Sequence, residues 1–243
     1  MRVIFRQTHG SYGARRMMEA LSDHNIHIGK YRTRRLMNDN QLIVKRSKKQ
    51  KRTTNSNHHL PIYPNLLNQD FTAYGKNQKW TTDISYIRTG EGWGYLAVIM
   101  DLYSRQVVGW EFDKRMTKEL VINALNKAII LRNPHAGLIL HSDRGAQYCS
   151  HEYQRILKQN NIQCSMSGKG NCYDNAPMES LFKTLKAECV WRTRYQTRTQ
   201  AKNSIGHYIN SFYNTVRKHS FLNYKSHMQF ERINMIKTNE MAA

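Results

Sequence analysis

An α/β fold, a five-stranded mixed sheet with helices and a small helical region ahead of it, is what the order of periodic segments predicts. Three observations carry it. Three successive segments between residues 79 and 112 alternate like strands, and two later apolar strands alternate with helical stretches. Residues 11–38 show helical spacing instead. Strands in a run followed by helix–strand alternation give one sheet with a meander on one side. A chain of 243 residues holds one large domain or a core with a smaller appendage. The boundaries expected are 1–44 for a helix-turn-helix-like region and 45–65 for a basic linker. The α/β core is expected over 66–195 and a basic helical segment over 196–243.

Residues 11–22 read as a helix with Met17, Ala20 and Leu21 inward, and Asp23–Gly29 as a turn. Lys30–Asn38 reads as a second helix anchored by Tyr31, Leu36 and Met37, its charged face formed by Lys30, Arg32, Arg34 and Arg35. Two short helices with an Arg-rich second one suit a helix-turn-helix DNA reader, and the alternative is a helical hairpin with a solvated basic face. Lys45, Arg46, Lys48, Lys49, Lys51 and Arg52 then place six cations in eight positions. With the polar run to His59 they cannot build a core, and they suit non-specific phosphate contact.

The first strand expected is Lys79–Ile87, with Trp80, Thr82, Ile84 and Tyr86 on one face and Thr81, Asp83 and Ser85 on the other. Asp83 is out of place there, because Asp is depleted from strand interiors and seldom buried unpaired. A turn at Thr89–Gly92 leads to strands at Tyr95–Leu102 and Val107–Phe112, joined closely enough to be antiparallel. A helix follows from Thr117 as N-cap to Leu131, with Val121, Ala124, Leu125, Ala128 and Ile129 on one face. Strand four, Leu138–His141, ends at Asp143, where open α/β sheets place ligands. Next come a helix at His151–Gln159, strand five at Ile162–Met166, and a helix opening at Asp174–Pro177. That helix buries Met178, Leu181, Phe182, Leu185 and Cys189, while Glu179, Lys183 and Lys186 share the other side.

The net charge is +21 and uneven: residues 1–60 hold 14 Lys/Arg against 3 Asp/Glu, 61–180 hold 13 against 11, and 181–243 hold 11 against 3. A balanced centre between basic flanks suits a polyanion gripped at both sides, so nucleic acid is the partner expected. No apolar run reaches the ~18 residues of a membrane span and no secretory leader is visible, which points to a cytosolic chain. Cys149, Cys164, Cys172 and Cys189 have no zinc-type spacing and read as reduced, structural thiols.

Asp83 at mid-strand, Asp143 at a strand end and Glu179 on a helix form the candidate set. Converging carboxylates repel unless cations lie between them, and hard oxygen ligands suit Mg²⁺ or Mn²⁺. Two such ions about 4 Å apart serve phosphoryl transfer.

The segments Trp80–Ile84, Asp101–Trp110, His141–Tyr148 and Asp174–Ser180 closely resemble bacterial insertion-sequence transposases of the insertion-sequence-three family, products of its second reading frame and relatives of retroviral integrases. The likeness spans about residues 11–232 and takes in Tyr208–His219. It implies a ribonuclease-H-like core in which Asp83, Asp143 and Glu179 bind two Mg²⁺ or Mn²⁺ ions. It implies cleavage and strand transfer at the ends of an insertion sequence, and Lys186 matches a basic residue that contacts the transposon end. Double-stranded DNA, both transposon ends and target, is the implied partner, with homo-oligomers on the DNA and a nucleoid-associated location. No His/Cys zinc module and no heptad run are present, so an upstream reading-frame product is a further implied partner. His227 stands where many relatives have Pro. Gln147, Asn171, Asp174 and Asn175 are candidates for contacts behind the metal ligands or to DNA, with helix capping the alternative for Asp174 and Asn175. A DNA-binding repressor without turnover and a nuclease that cuts without joining are the competing functions.

Overall fold

The computed structural model describes residues 1–44, 60–168 and 171–242; the six-cation run Lys45, Arg46, Lys48, Lys49, Lys51 and Arg52 lies outside the described residues. In chain order the elements are α1 (Arg2–Gln7), α2 (Ala14–Ser22), α3 (Lys30–Asp39), β1 (Lys79–Thr89), β2 (Gly92–Asp101), β3 (Val107–Asp113), α4 (Lys118–Arg132) and β4 (Ile139–Ser142). There follow α5 (Ala146–Cys149), α6 (His151–Gln159), β5 (Gln163–Met166), α7 (Ala176–Glu188), α8 (Arg198–His207) and α9 (His227–Ala242). A 3-10 turn at Cys172–Asn175 leads into α7. None of the helices among the described residues is long and apolar enough to cross a membrane.

Two compact units form, and neither is continuous in sequence. One comprises the described parts of Gln50–Lys183 together with Arg194–Ile205. Its five strands stand in the order β3-β2-β1-β4-β5. The meander β1–β2–β3 is antiparallel, and β1–β4 and β4–β5 are parallel. The mixed α/β sheet expected from the sequence is therefore the one formed. Trp80 is fully buried in a core with Ala97, Ile99, Leu125, Leu140 and Tyr148. Fully burying side chains of the Leu or Val kind stabilises by roughly 1.5–3 kcal/mol each, which makes this cluster the main support of the sheet.

Gly109 shows why Val-Val-Gly-Trp suits β3. A Cβ there would stand 2.7 Å from Ala128 Cβ and closer still to Ala124 O, so a side chain would force α4 off the sheet. On α4, Val121, Ala124, Leu125 and Ala128 are buried as the helical spacing predicts, whereas Ile129 is half-buried. Thr117 takes the N-cap position without its side chain bonding to the first amides.

The second unit comprises the described parts of Met1–Lys49 with Thr184–Thr193 and Gly206–Ala243. Met17, Ala20 and Leu21 of α2 are buried as expected. The anchors of α3 differ from the expectation: Thr33 and Met37 are buried, Leu36 is half-buried and Tyr31 is 83% exposed. At 100° per residue Tyr31 lies on the far side of the helix from Thr33, so its ring faces water despite its size. In this unit Glu188, the last residue of α7, is buried and accepts from Arg217 Nε at 2.7 Å, Arg217 Nη2 at 2.8 Å, Tyr208 Oη at 2.8 Å and Arg16 Nη1 at 3.2 Å. Burial pushes the Glu188 carboxyl up, but the hydrogen bond and charge of Arg217, then the charge of Arg16, hold it below the ordinary glutamate range.

Candidate functional site

The parallel pairing of β1 with β4 sets Trp80 beside Leu140 and Thr81 beside His141. Two residues beyond the last paired positions of these strands come Asp83 on β1 and Asp143, the first residue past β4. Both carboxylates act on one group, the Tyr148 hydroxyl. Burial first, then the charges of Asp83 and Asp143, push that phenol well above its ordinary pKa, so Tyr148 stays neutral. Asp83 Oδ1 accepts from Ile84 N at 2.7 Å, and Asp143 Oδ1 from Gly145 N at 2.9 Å. A Cβ on Gly145 would come within 3.0 Å of Asp143 Oδ1 and 3.1 Å of Gln147 Oε1, so the glycine after Asp143-Arg144 keeps the turn close to its carboxylate.

The strand also holds the approach to α7. Thr81 Oγ1 donates to Asn175 Oδ1, and Asn175 Nδ2 donates to Thr82 O at 3.1 Å. Thr82 Oγ1 lies 3.3 Å from Tyr148 Oη. Asp174, 2% exposed, accepts from Gly168 N at 2.7 Å, Asn171 Nδ2 at 2.8 Å, Gln69 Nε2 at 3.0 Å and Asn65 Nδ2 at 3.1 Å. Behind it His141 is enclosed, its Nδ1 2.8 Å from Ser165 Oγ and its Nε2 3.1 Å from Ser167 Oγ. Burial pushes the His141 pKa down to about 4 against the opposing charge of Asp174, so the imidazole is neutral near pH 7.

Asp174 and Asn175 are therefore buried anchors of the turn that leads into α7. Gln147 donates to Met116 O at 2.9 Å, and Asn171 caps the 3-10 turn. Glu179 lies four residues beyond Asn175 on α7, a spacing that puts both on one side of a helix. Its side chain is exposed, as is that of Lys183, and no ion pair joins the two. Among the described residues no three Asp, Glu, His or Cys side chains form a group able to hold a metal ion, so Asp83, Asp143 and Glu179 do not stand as such a group. Lys186 is half-buried, and Arg32, Arg34 and Arg35 are exposed on α3. Cys149, Cys164 and Cys189 are free thiols, and burial pushes Cys149 and Cys164 up to about 11, which makes them poor nucleophiles.

Sequence reasoning missed the part played by Thr81, Thr82 and Tyr148. Two polar residues at consecutive buried positions of a strand were the available signal, since Val would pack as well.

The description "Integrase core domain" matches residues 73–172, a second of the same description matches 160–226, and "HTH-like domain" matches 1–50. The chain is 45% identical over its whole length to an uncharacterized 31 kDa protein of insertion element IS600 from Shigella sonnei, covering 88% of that protein. It is 42% identical, over 95% of its length and 80% of the relative, to transposase InsF for insertion sequence IS3A from Escherichia coli K12. The chain belongs to the insertion-sequence-three family of transposases. Members are enzymes of the polynucleotidyl transferase type. The catalytic core of HTLV-2 integrase, solved in complex with magnesium, aligns over 66% of this chain and 99% of that one at 19% identity, TM-score 0.51, a likeness that shows the ribonuclease-H-like fold alone.

Proposed function

We propose that this transposase cuts and joins DNA at the ends of an insertion sequence with Asp83, Asp143 and Glu179 as its metal-binding acids. The observation that supports this is that Asp83 and Asp143 each follow by two residues the last paired positions of β1 and β4 and both act on the Tyr148 hydroxyl, with α7 tied to β1 one helical turn before Glu179. Hard carboxylate oxygens fit Mg²⁺ or Mn²⁺, two ions in all, and such ions stabilise charge developing on a phosphate. In the first reaction a P–O3′ bond breaks as a P–O bond to water forms, leaving a 3′-hydroxyl on the element. In the second that hydroxyl displaces a 3′-oxygen of target DNA, so bonds balance and no covalent protein intermediate is needed.

The remaining residues hold the substrate. Arg32, Arg34 and Arg35, exposed on α3, suit the DNA of the element's end, with residues 1–44 as the reading module and 66–195 as the catalytic core. Lys45, Arg46, Lys48, Lys49, Lys51 and Arg52 supply sequence-independent phosphate contacts from the 45–65 linker. Lys183 and Lys186 follow Glu179 on α7 and face the backbone next to the scissile phosphate, while 196–243 adds basic surface. The protein works as an oligomer on DNA in the bacterial cytoplasm, with an upstream reading-frame product as partner.

The test is cleavage of a labelled transposon end. Asp83→Asn, Asp143→Asn and Glu179→Gln should each abolish cleavage and joining while DNA affinity holds. Near wild-type cleavage by one of them removes that residue from the site. Products cut but never joined, in the unaltered protein, would make it a nuclease instead.

A further inference from the structure

Thr81 and Thr82 occupy consecutive, fully enclosed positions of β1, directly ahead of Asp83. Successive side chains on a strand point to opposite faces, so one hydroxyl serves each face of the sheet. On the face shared with Asp83, Thr81 Oγ1 donates to Asn175. The same Asn175 donates to Thr82 O, so one planar amide spans two successive residues of the strand and is fixed in both position and rotation. Four residues later comes Glu179. On the opposite face Thr82 Oγ1 meets Tyr148 Oη, and Tyr148 begins five residues after Asp143, held edge-on to Tyr153 with ring centroids 5.5 Å apart.

We infer that the two threonines are a pair of pins that set the spacing of the three acids. Thr81 positions Glu179 through Asn175, and Thr82 positions Asp143 through Tyr148. Each pin joins β1 to the segment next in sequence to one of the other two carboxylates, α5 just after Asp143 and the turn just ahead of α7 and Glu179, so the strand bearing Asp83 also gauges where its partners stand. A β-branched residue is stiff about χ1, which makes a threonine hydroxyl a well-aimed donor. Valine would fill both positions equally well, so packing alone does not account for two hydroxyls in a row. Thr81, Thr82, Asn175 and Tyr148 touch no substrate and are positioning residues. The inference rests on the three-carboxylate reading above and adds to it the residues that align the set.

The test uses the full chain, with Mn²⁺ titrated into the DNA-free protein and single-turnover cleavage of a transposon end measured in parallel. Thr81→Val and Asn175→Ala should each weaken Mn²⁺ binding roughly 10–100-fold and slow cleavage by a similar factor, with DNA affinity held. The double variant should be no worse than either single one, because both remove the same link. Thr81→Ser, which keeps the hydroxyl, should bind Mn²⁺ and cleave like the unaltered protein. Should Asn175→Ala fail to fold, Thr81→Val carries the test, since it keeps the side-chain shape. Glu179→Gln separates the two levels: no loss of Mn²⁺ affinity or cleavage there defeats the three-carboxylate reading itself. Loss in Glu179→Gln, with Mn²⁺ affinity and cleavage unchanged in folded Thr81→Val or Thr82→Val, overturns the inference alone, as does a Thr81/Asn175 double variant whose losses add.

Discussion

At its N-terminal end α7 is reached through Asp174 and Asn175, whose partners are amides, a hydroxyl and backbone groups; at its C-terminal end it finishes on Glu188, clasped by Arg217, Arg16 and Tyr208. Both ends bury a carboxylate, yet the two solutions differ in kind. Asp174 takes four neutral donors, each short-ranged and strongly directional, which fixes geometry at the end nearest Glu179. Glu188 is compensated by charge, stronger per contact and more costly to break because either partner alone would be an unmatched buried ion. The lesson is that one helix can be aligned by hydrogen bonds at one end and fastened by an ion pair at the other. The alignment lies at the end nearest Glu179.

The largest effect expected comes from breaking the charged end. Arg217→Ala leaves Glu188 buried without its bidentate partner and should cost about 3–5 kcal/mol, read by urea or thermal unfolding. Loss below about 1 kcal/mol would mean that Arg16 and Tyr208 suffice and that the two ends are alike.

Acid should separate the ends by pH. His141 titrates at about 4 when folded and near 6.5 when unfolded, so the unfolded chain takes its proton first. Its contribution is present in full above pH 6.5 and is lost as pH falls from about 6.5 to about 4, on the order of 3 kcal/mol in total. Glu188 is also held low, so its stabilisation is present above the unfolded glutamate value near 4.3 and disappears only as pH falls through its folded value. Hydrogen exchange followed against pH should therefore loosen the β4–β5 segment before the Glu188 cluster, and His141→Gln should flatten the first phase. The reverse order would undo the contrast.

A smaller effect sharpens the neutral end. Asp174→Asn replaces an acceptor by a donor facing four donors, and should cost about 1–3 kcal/mol of stability. It should also slow end cleavage, since the loop before α7 is what it gathers.

The smallest effect belongs to the surface of the same helix. Lys183→Ala should change stability by less than about 0.5 kcal/mol, because its side chain is exposed and makes no ion pair with Glu179. Lys186→Ala should lower joining at the correct end well beyond its effect on non-specific DNA affinity. Equal, slight losses from both would return Lys186 to an ordinary solvated role.

Much of this architecture was legible from residue spacing. The order of strands and helices, the buried side of α7, and the oddity of Asp at mid-strand all follow from period and composition, since alternation and helical repeat are local properties. Tyr31 was not legible: its size suggested an anchor, but the neighbours of α3 turn Thr33 and Met37 inward instead. The partners of Asp174 and Asn175 were equally hidden, because a capping residue and a long-range anchor have the same side chain.

By itself the amino-acid order determined the α/β class, the basic flanks and the three candidate acids, all of which rest on which residue types sit where along the chain. Only the tertiary structure decided that Asp83 and Asp143 both act on the Tyr148 hydroxyl, and that Thr81 meets Asn175, 94 residues away. It alone decided that Glu188 gathers Arg16 from 172 residues upstream and Arg217 from 29 downstream. The physical reason is that a hydrogen bond or ion pair depends on where two groups stand in space, and chain separation fixes that position only for neighbours within a turn or a strand.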